Sequence, residues 1–168
     1  MHRLTLKLLI FLVVLSSAPS SAGQTSGAWQ SPETACALLN EVNIKTRGYK
    51  EHSPGKYGCS STYRDLGKGS PLPNNIAYYV EGDRETAKEL KLVLNVFVRE
   101  DAELAHDALT PAGGVLTKLA LSTQHPDEIF DALILGKSGK WRVGKNRIEI
   151  LREEWPSGRG YEIKFLIR

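Results

Sequence analysis

Motifs that indicate catalytic chemistry are missing from this sequence. The 168 residues contain no HExxH zinc motif, no GxSxG nucleophile elbow and no GxGxxG phosphate-binding loop. The histidines His52, His106 and His125 are far apart and have no neighbouring metal-ligand pattern. Linear motifs therefore predict no catalytic residue, no metal site and no cofactor. Because folding can assemble a site that no motif marks, an enzyme without a linear motif is kept as a third functional hypothesis.

Cysteine is scarce, and its two positions restrict the chemistry available to the chain. Cys36 and Cys59 are the only cysteines, and no CxxC pair supports thiol exchange. In an exported protein an even pair of cysteines typically forms a disulfide. Closing the loop between Cys36 and Cys59 would stabilise the fold by about 3 kcal/mol in the chain-entropy model. We predict a disulfide between Cys36 and Cys59, with two buried free thiols as the alternative.

Long apolar runs are absent beyond the N-terminus, and the one at the N-terminus is short. Arg3 and Lys7 precede an unbroken apolar run at residues 8–15, and small residues end the segment at Ala22. This is the layout of a cleaved secretory signal peptide. The run is shorter than the roughly 20 residues that cross a bilayer, which disfavours an uncleaved anchor. We predict that residues 1–22 are removed and that the protein is exported, as a periplasmic or secreted protein without a membrane span.

The exported chain has little net charge. The whole sequence carries 22 Lys and Arg against 19 Asp and Glu. Two of the bases, Arg3 and Lys7, belong to the signal, so the exported chain has a formal charge of +1. This small charge gives no reason to expect a nucleic-acid partner. We predict a flexible tail at residues 23–30, in which the apolar Trp29 is an exception, and a single domain at residues 31–168.

Strict alternation of apolar and polar residues predicts strands at the C-terminus. Residues 161–167 are apolar at every second position, which is the period of a strand with one buried face. Residues 147–155 predict a preceding strand, and the loop at 156–160 is rich in proline and glycine, as in longer hairpins. A further short strand is predicted at residues 141–143, folded back at residues 144–146.

The first third of the sequence predicts a helix followed by a strand pair. Ser31 is a preferred N-cap, proline follows it at the first helical position, and apolar residues then recur at helical spacing. We expect this helix to extend to about Gly48. Residues 48–63 predict two strands joined by a type II turn at residues 53–56, where proline and glycine occupy the central places.

Two strands and two helices fill the middle of the chain. They are predicted as strands at residues 76–81 and 90–99, after a loop at residues 65–75, as a helix at residues 101–122, and as a shorter helix that starts at residues 126–128 and stops at Gly136. The strand at 90–99 is apolar on both faces, which indicates a central position. Pro111 predicts a kink or two collinear pieces in the longer helix. The shorter helix is predicted to bury Ile129, Phe130, Leu133 and Ile134.

This order of elements predicts an α+β fold. Short connections between successive strands imply antiparallel neighbours, and the helices must cover one face of the sheet. We therefore predict a two-layer domain with a mainly antiparallel sheet of about five or six strands and helices packed on one face.

Basic residues are concentrated near the C-terminus. Residues 136–168 hold nine Lys and Arg against four Asp and Glu, with tryptophans between the bases. Guanidinium and ammonium groups suit carboxylate or phosphate ligands, and tryptophan supplies stacking area. Seven residues are therefore candidates for binding a ligand or partner: Trp141, Arg142, Lys145, Arg147, Arg152, Trp155 and Arg159. The alternative is that these charges only keep a solvated edge from pairing with other sheets.

Two binding hypotheses follow. The first is a non-catalytic exported protein that binds a protein or peptide partner in the cell envelope, through an exposed sheet edge or through the basic hairpin. The second is a binder of a small or polymeric anionic envelope ligand, held by the arginines and stacked on the tryptophans. The second hypothesis predicts an affinity that falls steeply with salt.

Overall fold

An antiparallel sheet with helices packed against it forms the body of the protein. The computed structural model describes residues 28–70, 72–123 and 126–168. The predicted signal peptide, residues 23–27 of the predicted tail and His125 lie outside the described residues. In chain order the elements are α1 (Pro32–Ala37), β1 (Lys50–Ser53), β2 (Lys56–Ser60), β3 (Arg64–Leu66), β4 (Asn74–Gly82), β5 (Ala87–Val96), α2 (Ala102–Leu121), α3 (Asp127–Leu135), β6 (Gly139–Val143), β7 (Asn146–Glu154) and β8 (Tyr161–Ile167).

The strand order confirms the predicted α+β class. Within the described ranges the strands run β1-β2-β4-β5-β8-β7-β6, all antiparallel to their neighbours, and β3 pairs with the start of β4. The sheet therefore has eight strands rather than five or six. One added strand, β3, falls in the segment predicted as a loop at residues 65–75. Three residues are too few to display an alternating pattern, so this strand is defined only by its pairing with β4, from Arg64 opposite Ile76 to Leu66 opposite Asn74.

The core lies between the sheet and the helices. In β5, Leu90, Leu92, Leu94 and Val96 are completely buried on the helix-covered face, and Val93 is buried on the other face. Since β5 lies between β4 and β8, the prediction of a central strand is confirmed. Burial of five such side chains contributes roughly 1.5–3 kcal/mol each relative to full exposure.

The first helix is much shorter than predicted. It ends at Ala37 instead of extending to about Gly48, and Asn43 then adopts a left-handed conformation with φ of 59°. A helix of six residues is unstable alone, so its position depends on tertiary contacts. One of these is the buried hydroxyl of Tyr78 in β4, which donates a hydrogen bond of 2.8 Å to the carbonyl of Ala35.

The predicted disulfide provides a second attachment for α1. Cys36 and Cys59 are bonded, with their Sγ atoms 2.01 Å apart, and they tie α1 to β2. Trp29 is also part of the core, with only 2% of its surface exposed, and it lies in a 3-10 turn at Ala28–Gln30. Trp29, the apolar exception within the predicted tail, therefore packs on the body.

The longest helix is continuous through its proline. The predicted break into two pieces at Pro111 does not occur, since α2 is a single helix of 20 residues. Proline leaves one carbonyl without its helical donor, that of Asp107 four residues earlier. Asp107 and Pro111 are both exposed, so water can satisfy this carbonyl.

The shorter helix α3 buries a narrower stripe than predicted. Ile129 and Leu133 are completely buried, but Phe130 and Ile134 are 40% and 45% exposed. α3 contacts α2 and the edge strand β6, at the margin of the domain. A helix at the margin has neighbours on one side only, so the apolar residues beside the central stripe stay exposed.

The face of the sheet opposite the helices, here called the open face, carries charges. Ion pairs cross it from strand to strand: Lys91–Glu81 at 2.8 Å, Arg168–Glu89 at 2.6 Å, Arg168–Glu149 at 2.8 Å and Lys140–Glu149 at 2.6 Å. The apolar floor beneath these pairs includes Val93 and Leu166, which are nearly fully buried. Long charged side chains thus shield this face from water.

Candidate partner-binding edge

The seven candidate binding residues do not converge on a single site. Trp141, Arg142, Lys145 and Arg147 lie at the β6–β7 hairpin, Arg152 lies further along β7, and Trp155 and Arg159 lie beyond its end. The nine residues of β7 span about 30 Å. Side chains alternate along strands, so residues adjacent in sequence face opposite sides of the sheet. The tryptophans and arginines therefore do not line a single site for a small ligand.

Local turn chemistry fixes the register of the β6–β7 hairpin. Gly144 and Lys145 form a two-residue loop between Val143 and Asn146. Gly144 has a φ of 58°, as the first central residue of a type II′ turn requires, and glycine adopts this conformation without strain. This loop places Arg142 of β6 directly opposite Arg147 of β7.

The resulting arginine pair, Arg142 and Arg147, is a close juxtaposition of like charges. The backbone of Arg147 exchanges both hydrogen bonds with Arg168, the residue directly after β8, at 2.8 and 2.9 Å, so its polar groups point away from β6. Arg142 and Arg147 therefore form the type of cross-strand pair without hydrogen bonds, whose Cα atoms approach to about 4.5 Å. Both side chains are exposed on the open face. Like charges in such positions destabilise a sheet, and a bound anion would relieve the repulsion between them.

The nearest acid on the open face is already occupied by other cations. Glu149 accepts hydrogen bonds from Lys140 Nζ at 2.6 Å and from Arg168 Nη1 at 2.8 Å. The hydrogen bond from Lys140 lowers the pKa of the Glu149 carboxyl, while burial opposes this shift. Glu149 therefore stays ionised, and both of its carboxylate oxygens are already paired with cations. Neither arginine of the pair has an ion-pair partner within 4.0 Å among the described residues.

The backbone of β6 presents unpaired polar groups to the outside of the sheet. No other described strand pairs with its outer side. Because Arg142 lies in a pair without hydrogen bonds, its own N–H and C=O point away from β7. Lys140, two residues earlier, has the same orientation. These two residues therefore offer two donors and two acceptors to an added strand.

The helix-covered side of β6 is apolar. Trp141 and Val143 are half-buried and pack against the core. The Trp141 ring lies over Gly139, where a Cβ atom would come within 2.1 Å of it. Trp141 therefore closes the edge of the core, and its ring is not free for stacking on both faces. α3, which contacts β6, exposes Phe130, Ile134 and Leu135.

A polar network around Tyr161 was not foreseen from the sequence. Tyr161 in β8 is buried, and its hydroxyl lies 2.9 Å from Nε2 of His106 in α2. Nδ1 of His106 lies 2.9 Å from the carbonyl of Ile134, which can only accept, so Nδ1 is the donor of this hydrogen bond. The guanidinium of Arg152 stacks on the Tyr161 ring at 3.7 Å.

Ionic contacts complete this network and explain the position of Arg152. Glu154 accepts a hydrogen bond from Arg152 Nε at 2.8 Å and another from Arg99. The bond from Arg152 is the largest cause of the lowered pKa of Glu154. Arg152 is thus engaged within the protein. No sequence pattern links the members of this polar network, which come from α2, α3, β7, β8 and the turn before α2.

Trp155 and Arg159 line a separate hollow at the opposite end of β7. This hollow has a volume of about 320 Å³, and its walls include Leu72, Phe97 and Val98. The Trp155 ring contacts that of Phe97, with centroids 4.8 Å apart. It is an apolar recess with one cation at its rim, and it is too far from the arginine pair to form a single site with it.

Comparisons with known proteins add nothing to this geometry. Searches with family models, with curated proteins and with solved structures found no match to this chain. None of the helices in the described ranges has the length and apolar character needed to traverse a bilayer. Among the same residues no three His, Cys, Asp or Glu side chains gather as a metal site requires.

Proposed function

We propose that this protein is an exported, non-catalytic binding protein that adds an extended acidic segment of a partner protein to its edge strand β6. The observation that carries the proposal is the combination of outward-pointing backbone groups at Lys140 and Arg142 with the unpaired arginines Arg142 and Arg147. Strand addition obtains affinity from main-chain hydrogen bonds and specificity from alternate side chains.

The two faces of β6 define the pattern that the partner segment should have. Side chains of an added strand alternate between the two faces of the sheet. On the open face they would meet Lys140, Arg142 and Arg147, which favours Asp or Glu. On the other face they would lie beside Trp141 and Val143, which favours apolar residues. The expected ligand is therefore a strand of alternating acidic and apolar residues.

Export is part of the same proposal. Residues 1–22 have the layout of a signal peptide, and the disulfide between Cys36 and Cys59 is compatible with an oxidising compartment. On this proposal the partner belongs to the cell envelope or lies outside the cell. Mass spectrometry of the protein purified from the envelope fraction should find Gly23 as the first residue, and an intact N-terminus would contradict cleavage.

A synthetic peptide of seven residues tests strand addition. We expect Asp-Val-Glu-Ile-Glu-Leu-Asp to shift the amide signals of Lys140 and Arg142 in an NMR titration and to protect them from hydrogen exchange. A peptide of the same composition with its acids and apolar residues in separate blocks is the matched ligand control. It has the same charge but cannot place acids on one face only.

Two substitutions of Arg142 separate the contribution of its backbone N–H to binding from the contribution of its charge. Arg142→Gln removes the charge but keeps the outward N–H, whereas Arg142→Pro removes both without breaking a bond to β7. We expect Arg142→Pro to weaken peptide binding about tenfold more than Arg142→Gln does. This additional loss corresponds to one hydrogen bond between uncharged backbone groups, together with the strand geometry that it supports. Lys118→Gln on α2 is the charge control. Equal effects of the two Arg142 substitutions, or no binding by wild type, would refute strand addition.

A second function is favoured by the arginine pair alone. Two like-charged side chains in a close cross-strand pair would also attract a small or polymeric anion. In that case Arg142→Pro and Arg142→Gln would weaken binding equally, and a polyanion without a peptide backbone would compete with the peptide. Affinity for the polyanion would also fall steeply with added salt.

A further inference from the structure

A second concavity lies on the open face, at the opposite edge of the sheet from β6. It has a volume of about 300 Å³, at the lower end of the range for small-molecule sites. Its walls come from β1, β2, β4 and the segment before β1. None of the seven candidate residues belongs to it. Six strand spacings of about 4.8 Å separate β1 from β6, so the two locations are independent.

A glycine in β2 creates the floor of this hollow. Gly58 pairs with Lys50 of β1 on one side and with Glu81 of β4 on the other. A Cβ atom at Gly58 would lie 2.4 Å from the carbonyl oxygen of Val80, so a side chain is excluded here. The missing side chain leaves a depression between the side chains of the two neighbouring strands.

A bulge in β1 directs a histidine over this floor. β1 advances two residues, from Glu51 to Ser53, while β2 advances one, so His52 is an extra, unpaired residue. Bulges re-aim side chains and recur beside functional sites. The Nε2 atom of His52 lies 3.5 Å from the position that a Cβ of Gly58 would take. The imidazole therefore forms one wall of the hollow.

Positive charge dominates the hollow. Arg47, Lys50 and His52 line it, and none of them has an ion-pair partner within 4.0 Å among the described residues. The one acid in the wall, Glu81, accepts a hydrogen bond from Lys91 Nζ at 2.8 Å and is neutralised by it. The Arg47 and Lys50 cations and an N–H group of the His52 ring are thus available to a ligand.

We propose that this hollow binds a phosphate monoester through Arg47, Lys50 and His52. A monoester presents three terminal oxygens and about two negative charges, which suits a hollow lined by two cations and an imidazole donor. Guanidinium takes two oxygens in a planar fork, and the ammonium and imidazole groups reach the third. Gly58 provides the room in which the phosphate group lies.

An NMR titration with two soluble probes and one lipid probe tests the site and distinguishes the sources of the phosphate. The soluble probes are inorganic phosphate and glycerol 3-phosphate. The lipid probe is a phosphatidylcholine vesicle with or without phosphatidic acid. We expect saturable shifts of the Gly58 amide and the His52 ring protons. Saturation by the soluble probes indicates a free phosphate ester, and saturation by phosphatidic acid vesicles alone indicates a headgroup.

Variants show whether the response belongs to this hollow. Arg47→Gln and Lys50→Gln should each weaken glycerol 3-phosphate binding about tenfold or more, the value of a charge-assisted hydrogen bond. Lys118→Gln, which removes the same charge from α2, should leave it unchanged, and so should Arg142→Gln. Shifts spread over all basic surfaces, equal losses in the control variants, or no saturation by any probe would overturn the proposal.

Discussion

At the scale of single residues, Glu149 shows how the sheet keeps a charge ordered on its open face. Its side chain is 8% exposed, and it is the one charged residue among those described that is almost completely buried. Lys140 and Arg168 hold its two carboxylate oxygens. Breaking a buried pair by removing one partner leaves uncompensated charge, which destabilises a protein. Here the two cations left behind would also lie near the arginine pair.

The free energy of unfolding at acidic pH should show the effect of the ionised Glu149 carboxylate. The hydrogen bond from Lys140 is the chief cause that lowers the pKa of Glu149 in the folded state. The ionised Glu149 therefore contributes its full stabilisation of the fold above the pKa of the unfolded state, and this stabilisation disappears as pH falls through the pKa of the folded state. Glu149→Gln should therefore be less stable than wild type at about pH 7, and the gap should narrow towards about pH 3. Urea unfolding at both pH values measures the gap.

An exposed acid elsewhere in the chain supplies the control for this experiment. Glu41 is exposed and forms no ion pair with any described residue, so Glu41→Gln should follow the wild-type profile at both pH values. A gap between Glu149→Gln and wild type that stays constant with pH would mean that ionisation of Glu149 does not stabilise the fold.

At the scale of elements, α1 is a helix that tertiary contacts must hold. Its six residues form too few hydrogen bonds to offset the entropy of nucleation. The Tyr78 hydroxyl and the disulfide to β2 attach it to the sheet at adjacent positions, Ala35 and Cys36. Local signals marked the start of this helix correctly, but its end depends on where the disulfide directs the chain.

Removing the disulfide should loosen this attachment. The double substitution Cys36→Ser and Cys59→Ser should lower the free energy of unfolding by about 3 kcal/mol, because the unfolded chain regains the entropy that the closed loop removes. Urea denaturation followed by circular dichroism measures the change. A reductant should lower the stability of wild type similarly and leave the double variant unaffected. A loss in the variant below about 1 kcal/mol would show that the other contacts suffice.

At the scale of the whole molecule, stability should decrease from the centre of the sheet to its edges. β4, β5 and β8 are flanked on both sides and contribute most of the completely buried side chains. The edge strands β1 and β6 have four and five residues and a single neighbour each. Both proposed binding surfaces therefore lie where the sheet is least constrained, at opposite edges of the open face.

Hydrogen exchange should follow this gradient. We expect the slowest amides in β4, β5 and β8, because these open only in global unfolding, and faster exchange in β1 and β6. In β6 the amides of Lys140 and Arg142 should exchange fastest, since they point outward, and those of Trp141 and Val143 more slowly. Exchange measured residue by residue by NMR tests this order. Strong protection of Lys140 and Arg142 in the free protein would mean that the edge is already covered.

The sequence by itself determined the class of fold and most of its strands. The period of two in β5 and β8, the glycine turns of the hairpins and the pairing of two cysteines are local or near-local signals, and each is present in the order of residues. Signals failed where the outcome depends on neighbours. β3 exists only because β4 offers a partner, and Phe130 is exposed only because α3 lies at the margin.

Only the tertiary structure decided which functional groups meet. The seven candidate residues lie within one stretch of 19 residues, 141–159, yet strand alternation sends Trp141 and Arg142 to opposite faces, and the length of β7 separates Arg147 from Trp155. Conversely, Arg47, His52 and Gly58 line one hollow, and His106 meets Tyr161 across 55 positions. Pairing register and the approach of distant elements bring such groups together, and neither is written in the local pattern of residues.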